Sequence, residues 1–293
     1  MDYTMWERVP NIYNGSDRKV TLMSQGKQYL VKFPDPTRQK KNELSYVNNV
    51  FSEYIGSQIF AMSGIPAQKT ELGTYQVSGV SKVVCVCEDF TDEDTVLIEF
   101  NNLAISNITS DRPITTAISD IMKTLQESFP EEFYEEVKAR FWDIFVIDAL
   151  IGNTDRHNGN WGFLYHKDTK KLSLAPVYDC GSALDSNVSD EVLKRTLQDE
   201  TEFKNRATNV YSCLRADGKR INYSQFFQNS TDRNFLDAVC RRVPLVSMEK
   251  IGELIKSIDY ISDVRKEFYC KFLSYRFEKI LRPTYMRQIR DKS

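Results

Sequence analysis

No stretch of the chain approaches the ~20 consecutive apolar residues that a membrane-spanning helix requires, so a transmembrane protein is not expected. The first residues, MDYTMWERVP, lack the apolar core of a secretory signal. A cytoplasmic protein is therefore expected, with only non-classical export left open. The six cysteines (Cys85, Cys87, Cys180, Cys213, Cys240 and Cys270) are scattered and show no paired metal-ligand spacing. That argues against a zinc framework and for free thiols in a reducing compartment. Internal repeats and low-complexity tracts are missing, which removes repeat architectures from consideration. No basic run is interleaved with enough aromatics to indicate specific nucleic-acid binding.

What remains is an ordinary globular composition. At 293 residues, 41% hydrophobic and 27% charged, the chain is long enough for one large domain or two lobes. The net charge of −2 conceals an asymmetry. Residues 88–136 carry thirteen acidic residues against Arg112 and Lys123, whereas residues 265–292 carry nine basic against three acidic. Solvated helix faces account for both runs; the sharper alternatives are an anionic partner for the basic tail or a basic substrate for the acidic segment.

Period-two patterns predict β-structure in the first third. Asn14-Gly15-Ser16-Asp17 separates Ile12-Tyr13 from a strand over Lys19–Met23, and Ser24-Gln25-Gly26-Lys27 turns into a strand over Gln28–Phe33. The first of these turns has the Gly/Ser chemistry that lets backbone N–H groups face a phosphate, although one glycine also suits a plain hairpin end. Lys32 lies among apolar neighbours, and the strand alone favours a snorkelling edge lysine over a phosphate contact. Lys41–Ser63 has helical spacing, with Glu53 off its apolar stripe, either exposed or holding Lys32. Strands are expected over Glu71–Tyr75 and Gly79–Asp89. The character then turns acidic and loop-like after Glu88-Asp89-Phe90, which sets a lobe boundary near residue 91. Beyond it, helices are expected over Ile114–Phe129, Glu131–Ile151 and Ser247–Leu281, the last with a break at Tyr260–Val264 and ended by Pro283. Residues 185–232 are expected to be loops with short helices. Asp148 sits within an apolar run, buried with partners or on a narrow wet face.

The polar residues converge in 147–179. Asp155, His157 and Asn160 crowd a turn after an apolar helix. The strand-like runs Trp161–Tyr165 and Leu172–Tyr178 form a hairpin that should return Asp179 to the side of Asn160. Oxygen ligands for a hard divalent cation, together with a base, then share one edge. Asp155-x₄-Asn160 has the spacing of a kinase catalytic loop, and Asp179-Cys180-Gly181 reads as a variant of the metal-binding Asp-Phe-Gly element. His157 suits loop support better than the role of base, and Cys180 reads as a buried, inert thiol.

The runs Ile151-Gly152-Asn153-Thr154-Asp155-Arg156-His157, Asn160 and Ala175-Pro176-x-Tyr178-Asp179 resemble the HipA-like serine/threonine kinases, most of all their short stand-alone CtkA-type members. The segments NGSDRK, YLVKFP and SEYIGSQIFAMSGIPAQKTELG extend the resemblance over most of residues 12–185. It implies an α+β, two-lobed protein-kinase-like fold: a small β-rich N-lobe with one main helix (1–91) and a larger, mainly helical C-lobe (92–293). It also implies ATP and Mg²⁺ as cofactors, a protein substrate with Ser/Thr acceptors, and autophosphorylation. By the same resemblance Asp155 is catalytic with His157 in support, and Asn160 and Asp179 bind metal. Gly15, Ser16, Lys19 and Lys32 serve the phosphates, Glu53 holds Lys32, and Glu88 and Phe90 belong to the hinge that meets adenine. Many relatives carry a lysine where this chain has Gly159, and Arg156 is the available substitute for its charge. A pattern shared with type II phosphatidylinositol 4-kinases keeps lipid phosphorylation open, and an inert ATP-binding pseudokinase is the third reading.

Overall fold

The computed structural model describes residues 1–10, 19–34, 49–102 and 115–291. Two hairpins with left-handed turn pairs build most of an antiparallel sheet. Gln25 and Gly26 (φ 50° and 75°) join β2 (Lys19–Ser24) to β3 (Lys27–Lys32), and Ser78 and Gly79 (φ 51° and 79°) join β4 (Thr70–Val77) to β5 (Val80–Glu88). With β1 (Glu7–Val9) the sheet order is β1-β2-β3-β5-β4. The nearly continuous apolar run of β5 is explained by burial on both faces. Val84 and Val86 pack with Tyr3, Leu22, Val31 and Phe33, while Cys85 and Cys87 face helix α1 (Asn49–Met62) in the main core. The expected start of that helix before Asn49 lies outside the described residues.

The remainder is mainly helical around α3 (Glu131–Ile151), whose bounds match the sequence expectation. Glu131 and Glu132 in its first turn suit the helix dipole, and Gly152 at φ 67° caps it, its N–H donating to the Asp148 carbonyl. Helix α2 (Ile118–Ser128) packs beside it. A small sheet, β6 (Thr95–Glu99), β7 (Gly162–His166) and β8 (Lys171–Leu174), carries the expected hairpin. β6 is a correction: its five residues sit in a stretch expected to be an acidic loop, and pairing with β7 overrides that local character.

Two further corrections concern the C-terminal half. Between α4 (Asp190–Gln198) with α5 (Glu200–Thr208) and α6 (Tyr223–Asn229), the structure has a hairpin of β9 (Tyr211–Ala216) and β10 (Lys219–Asn222) in place of loops. Its Asp217-Gly218 turn is a hairpin signal that could have been read from sequence. Helix α7 (Arg233–Arg242) follows. The final helical pattern then divides into α8 (Met248–Lys256) and α9 (Asp263–Arg276). A π-turn at Phe277–Leu281 carries it on into α10 (Arg282–Arg290). Pro283 therefore opens a helix rather than ending one; in a first turn its missing N–H costs nothing. Part of the basic run is engaged by the chain's own carboxylates and carbonyls. Arg265 pairs with Asp190 at 2.6 Å, Arg282 with Glu278 at 2.7 Å, and Arg287 donates to Phe227 and Gln228 carbonyls. No helix among the described residues is long and apolar enough to cross a membrane.

Candidate active site

The end of β3 delivers Lys32 to the interface between the sheet and the helical part. Its ammonium lies 3.0 Å from Glu53 Oε1 on α1 and 3.1 Å from Asp179 Oδ1. Burial pulls the lysine down, but the Asp179 and Glu53 carboxylates outweigh it and hold the ammonium well above its ordinary value. Lys32 pulls the Asp179 carboxyl below the usual range, against burial. Glu53 is the opposite case: burial raises it despite Lys32, and its Oε2 is buried with no hydrogen-bond partner. The alternatives for Glu53 are resolved: it is buried and forms an ion pair with Lys32. Lys19 stands directly across from Lys32 in the β2–β3 register.

A single guanidinium assembles the loops. Arg156, 4% exposed, clamps Asp148 through Nε (2.9 Å) and Nη2 (3.1 Å). Its Nη1 donates to the carbonyls of Asn160 (2.9 Å), Tyr178 and Asp179 (3.3 Å). Asp148 also accepts from Asn153 Nδ2 at 2.8 Å, and Asn153 Oδ1 accepts the Asp155 N–H at 3.1 Å. Asp148 is thus the buried, satisfied alternative. The expectation that Arg156 could neutralise a transferred phosphate is overturned, because the group is buried and committed to holding backbone. The only trace of this network in the sequence is a charged residue eight positions beyond an acid in an apolar helix.

Within the loop, Asn160 Nδ2 donates to the Asp155 carbonyl at 2.7 Å, which fixes the amide so that Oδ1 is its outward oxygen. His157 is exposed, and its Nδ1 accepts the Gly159 N–H at 3.0 Å, as loop support requires. Asp179 adopts the left-handed region at φ 58°, and its side chain is 41% exposed. A Cβ on Gly159 would sit 3.1 Å from the His157 ring and 3.4 Å from Glu99 Oε2, so a lysine there would crowd that support. Cys180 is fully buried, and burial pushes its thiol up to about 12. The expected neighbourhood of Asn160 and Asp179 is present, since both backbones meet on Arg156.

The hinge residues are placed as follows. Glu88 receives Lys27 at 2.9 Å and Lys69 at 3.7 Å on its side chain. Its N–H donates to the Lys69 carbonyl and its own carbonyl accepts Gln68 Nε2, so the Glu88 backbone is already committed. The Phe90 ring lies 5.8 Å from that of Tyr178, whose hydroxyl donates to the Gly159 carbonyl. Gly15 and Ser16 lie outside the described residues.

Among the described residues no three His, Cys, Asp or Glu side chains form a metal cluster. The hard-oxygen donors are one amide and one carboxylate, the sparse set that suits Mg²⁺ shared with substrate phosphates.

The HipA-like C-terminal domain model matches residues 13–244. The serine/threonine-protein kinase CtkA of Helicobacter pylori is 35% identical, over 99% of this chain and 89% of its own length. A crystal structure of a Helicobacter pylori proinflammatory kinase CtkA superposes with a TM-score of 0.91 at 35% identity, covering 99% of this chain and 98% of that one. HipA of Shewanella oneidensis, solved with HipB and operator DNA, shares the fold at a TM-score of 0.54 and 14% identity, covering 97% of this chain and 70% of that one. With a two-part α+β fold, a lysine–carboxylate pair at the interface and a family model covering most of its length, the chain belongs to the HipA-like C-terminal domain family.

Proposed function

We propose that the chain is an ATP- and Mg²⁺-dependent kinase that phosphorylates Ser/Thr hydroxyls of protein, including its own. The observation that carries this reading is Lys32, held 3.0 Å from Glu53 and 3.1 Å from Asp179 at the rim of the Asp155 loop. The lobes are taken as residues 1–91 and 92–293, a division supported by β5 ending at Glu88 and β6 pairing into the second sheet.

Each residue has one task. Lys32 binds the phosphates, and Glu53 keeps its ammonium in place. Asn160 Oδ1 and Asp179 would hold Mg²⁺, which supplies charge neutralisation on the phosphate oxygens. The Phe90 amide is the hinge donor for adenine, because Glu88 is committed elsewhere. Asp155 orients the acceptor hydroxyl and takes its proton as the oxygen bonds to the γ-phosphorus and the bond to the β–γ bridging oxygen breaks. Lys19 and the Gly15-Ser16 turn complete the phosphate contacts.

The test is incubation with labelled ATP and Mg²⁺, followed by mapping of phosphosites by mass spectrometry. Wild type should label itself or an added protein. Asp155→Asn and Asp179→Asn should stay folded and lose labelling. A chain that binds no ATP, or one that turns over phosphatidylinositol without labelling protein, would refute this reading.

A further inference from the structure

A cavity of about 1000 Å³ opens beside Asp155. Asp155 and Thr154 border it, whereas Lys32, Asn160 and Asp179 do not. Whatever enters it therefore meets the base without passing through the phosphate-binding groups. Resting on the kinase reading above, this is the face from which an acceptor hydroxyl reaches Asp155.

The walls differ in charge. On one side Asp185 and Glu202 share Arg206, at 2.7 and 3.5 Å, so that wall is paired internally. The other wall is the β9–β10 hairpin, which presents Arg215 and Arg220. Both are exposed, and neither meets a carboxylate among the described residues. They are nonetheless held in place. Arg220 donates through Nε to Ser212 (2.9 Å) and through Nη2 to Tyr211 (3.1 Å) and Thr154 (3.2 Å) carbonyls. Arg215 Nη1 donates to Gly218 at 2.9 Å. The hairpin itself is pinned, with the Arg215 N–H on the Thr116 carbonyl at 2.8 Å and Thr116 Oγ1 on the Cys213 carbonyl at 3.0 Å. A guanidinium carries five donors, so each arginine keeps some for a ligand. Two pre-positioned cations lacking counter-ions beside a proton acceptor select an anionic acceptor segment.

We propose that the hairpin wall is the acceptor-peptide site and that it selects Ser/Thr segments flanked by acidic side chains, read by Arg215 and Arg220. The contact from Arg220 to Thr154 also ties an occupied wall to the Asp155 loop.

The test uses the whole chain and three labelled peptides, identical but for Glu, Ala or Lys around one serine. Binding is read by fluorescence anisotropy, with ATP binding measured in parallel. The Glu peptide should bind roughly tenfold tighter than the Lys peptide, as one or two charge-assisted contacts provide. Arg215→Glu should invert that order, and Arg220→Gln should weaken the preference by loosening binding of the Glu peptide while leaving ATP binding in place. Equal binding of the three peptides, or an order that Arg215→Glu leaves unchanged, overturns the assignment. So does an Arg215→Glu effect seen only on anionic phosphatidylinositol vesicles. Those results leave the kinase reading standing, whereas missing ATP binding refutes the kinase reading and not the charge preference of the wall.

Discussion

Replacing Arg156 by Met should show how much of the site hangs on one side chain. The substitution keeps much of the volume but removes both bonds to Asp148 and the donors to the Asn160, Tyr178 and Asp179 carbonyls. Asp148 is 1% exposed, so its carboxylate is left buried with Asn153 as its remaining side-chain donor. Breaking a buried pair in this way costs about 3–5 kcal/mol. At about 2–4 °C per kcal/mol for chains approaching this size, the melting temperature should fall by roughly 6–20 °C. Circular dichroism melts and urea titrations measure this directly. The double variant Arg156→Met, Asp148→Leu removes the stranded charge and should recover at least half of the lost stability, since an apolar pair of similar volume tolerates burial. It should not recover phosphoryl transfer, because the three carbonyls of the two loops would still lack their common donor. A single variant within about 1 kcal/mol of wild type, the usual range for an exposed pair, or a double variant no more stable than the single, would refute this account.

Lys32→Met should abolish labelling and change the acid limb. Because Lys32 depresses the Asp179 carboxyl, the stability from that pairing is full above the unfolded value of ~3.9 and is lost as pH falls through the lower folded value. The stability gap between wild type and Lys32→Met, followed by urea titration, should therefore be wide at neutral pH and close toward pH 3; a constant gap contradicts the pairing. Gly56→Ala places a Cβ 2.6 Å from the Cys180 Cβ and should cost about 1–3 kcal/mol by overpacking. Cys180→Gly should relieve that clash and Cys180→Ser, which keeps its Cβ, should not; equal rescue by both would dismiss the contact. Hydrogen exchange should find the amides of α1 as slow as those of α3 and slower than those of β1 and β2. Fast exchange in α1 would show that the helix is not anchored as drawn.

The legible parts of the molecule are those whose cause is local. Helix α3 could be bounded from sequence because Pro130, two leading glutamates and Gly152 mark its ends, and its apolar period is sustained. Lys32 could be placed on its strand, and Asp155, Asn160 and Asp179 could be grouped from spacing and a hairpin return. What stayed hidden depends on partners far along the chain. The alternatives for Glu53 resolve only when α1 is laid against the sheet, and Arg156 looks available until four backbone and side-chain acceptors close around it. β6 exists because β7 offers it a ladder, and Pro283 reads as a stop until the π-turn resets the helix before it. The Asp217-Gly218 turn was local and readable, yet it lay in a polar stretch without a strong apolar alternation.

The placement of α1 bears on how such a site can be switched. Ser52 donates to the Ala183 carbonyl at 2.8 Å, Gly56 abuts Cys180, and the Phe60 ring lies 5.7 Å from the Arg156 guanidinium. Just past the helix, the Pro66 carbonyl and Gln68 N–H bond Val177 on both sides. Glu53 thus sits on a helix tied to the Asp179 loop, while Lys32 belongs to the sheet. Swinging this helix outward would tear the core beneath the catalytic loop, so it is a poor off-switch. Lys32 therefore joins three elements at one point, its ammonium coming from β3 and its carboxylates from α1 and the Asp179 loop, so a shift of any of them would be felt at this contact.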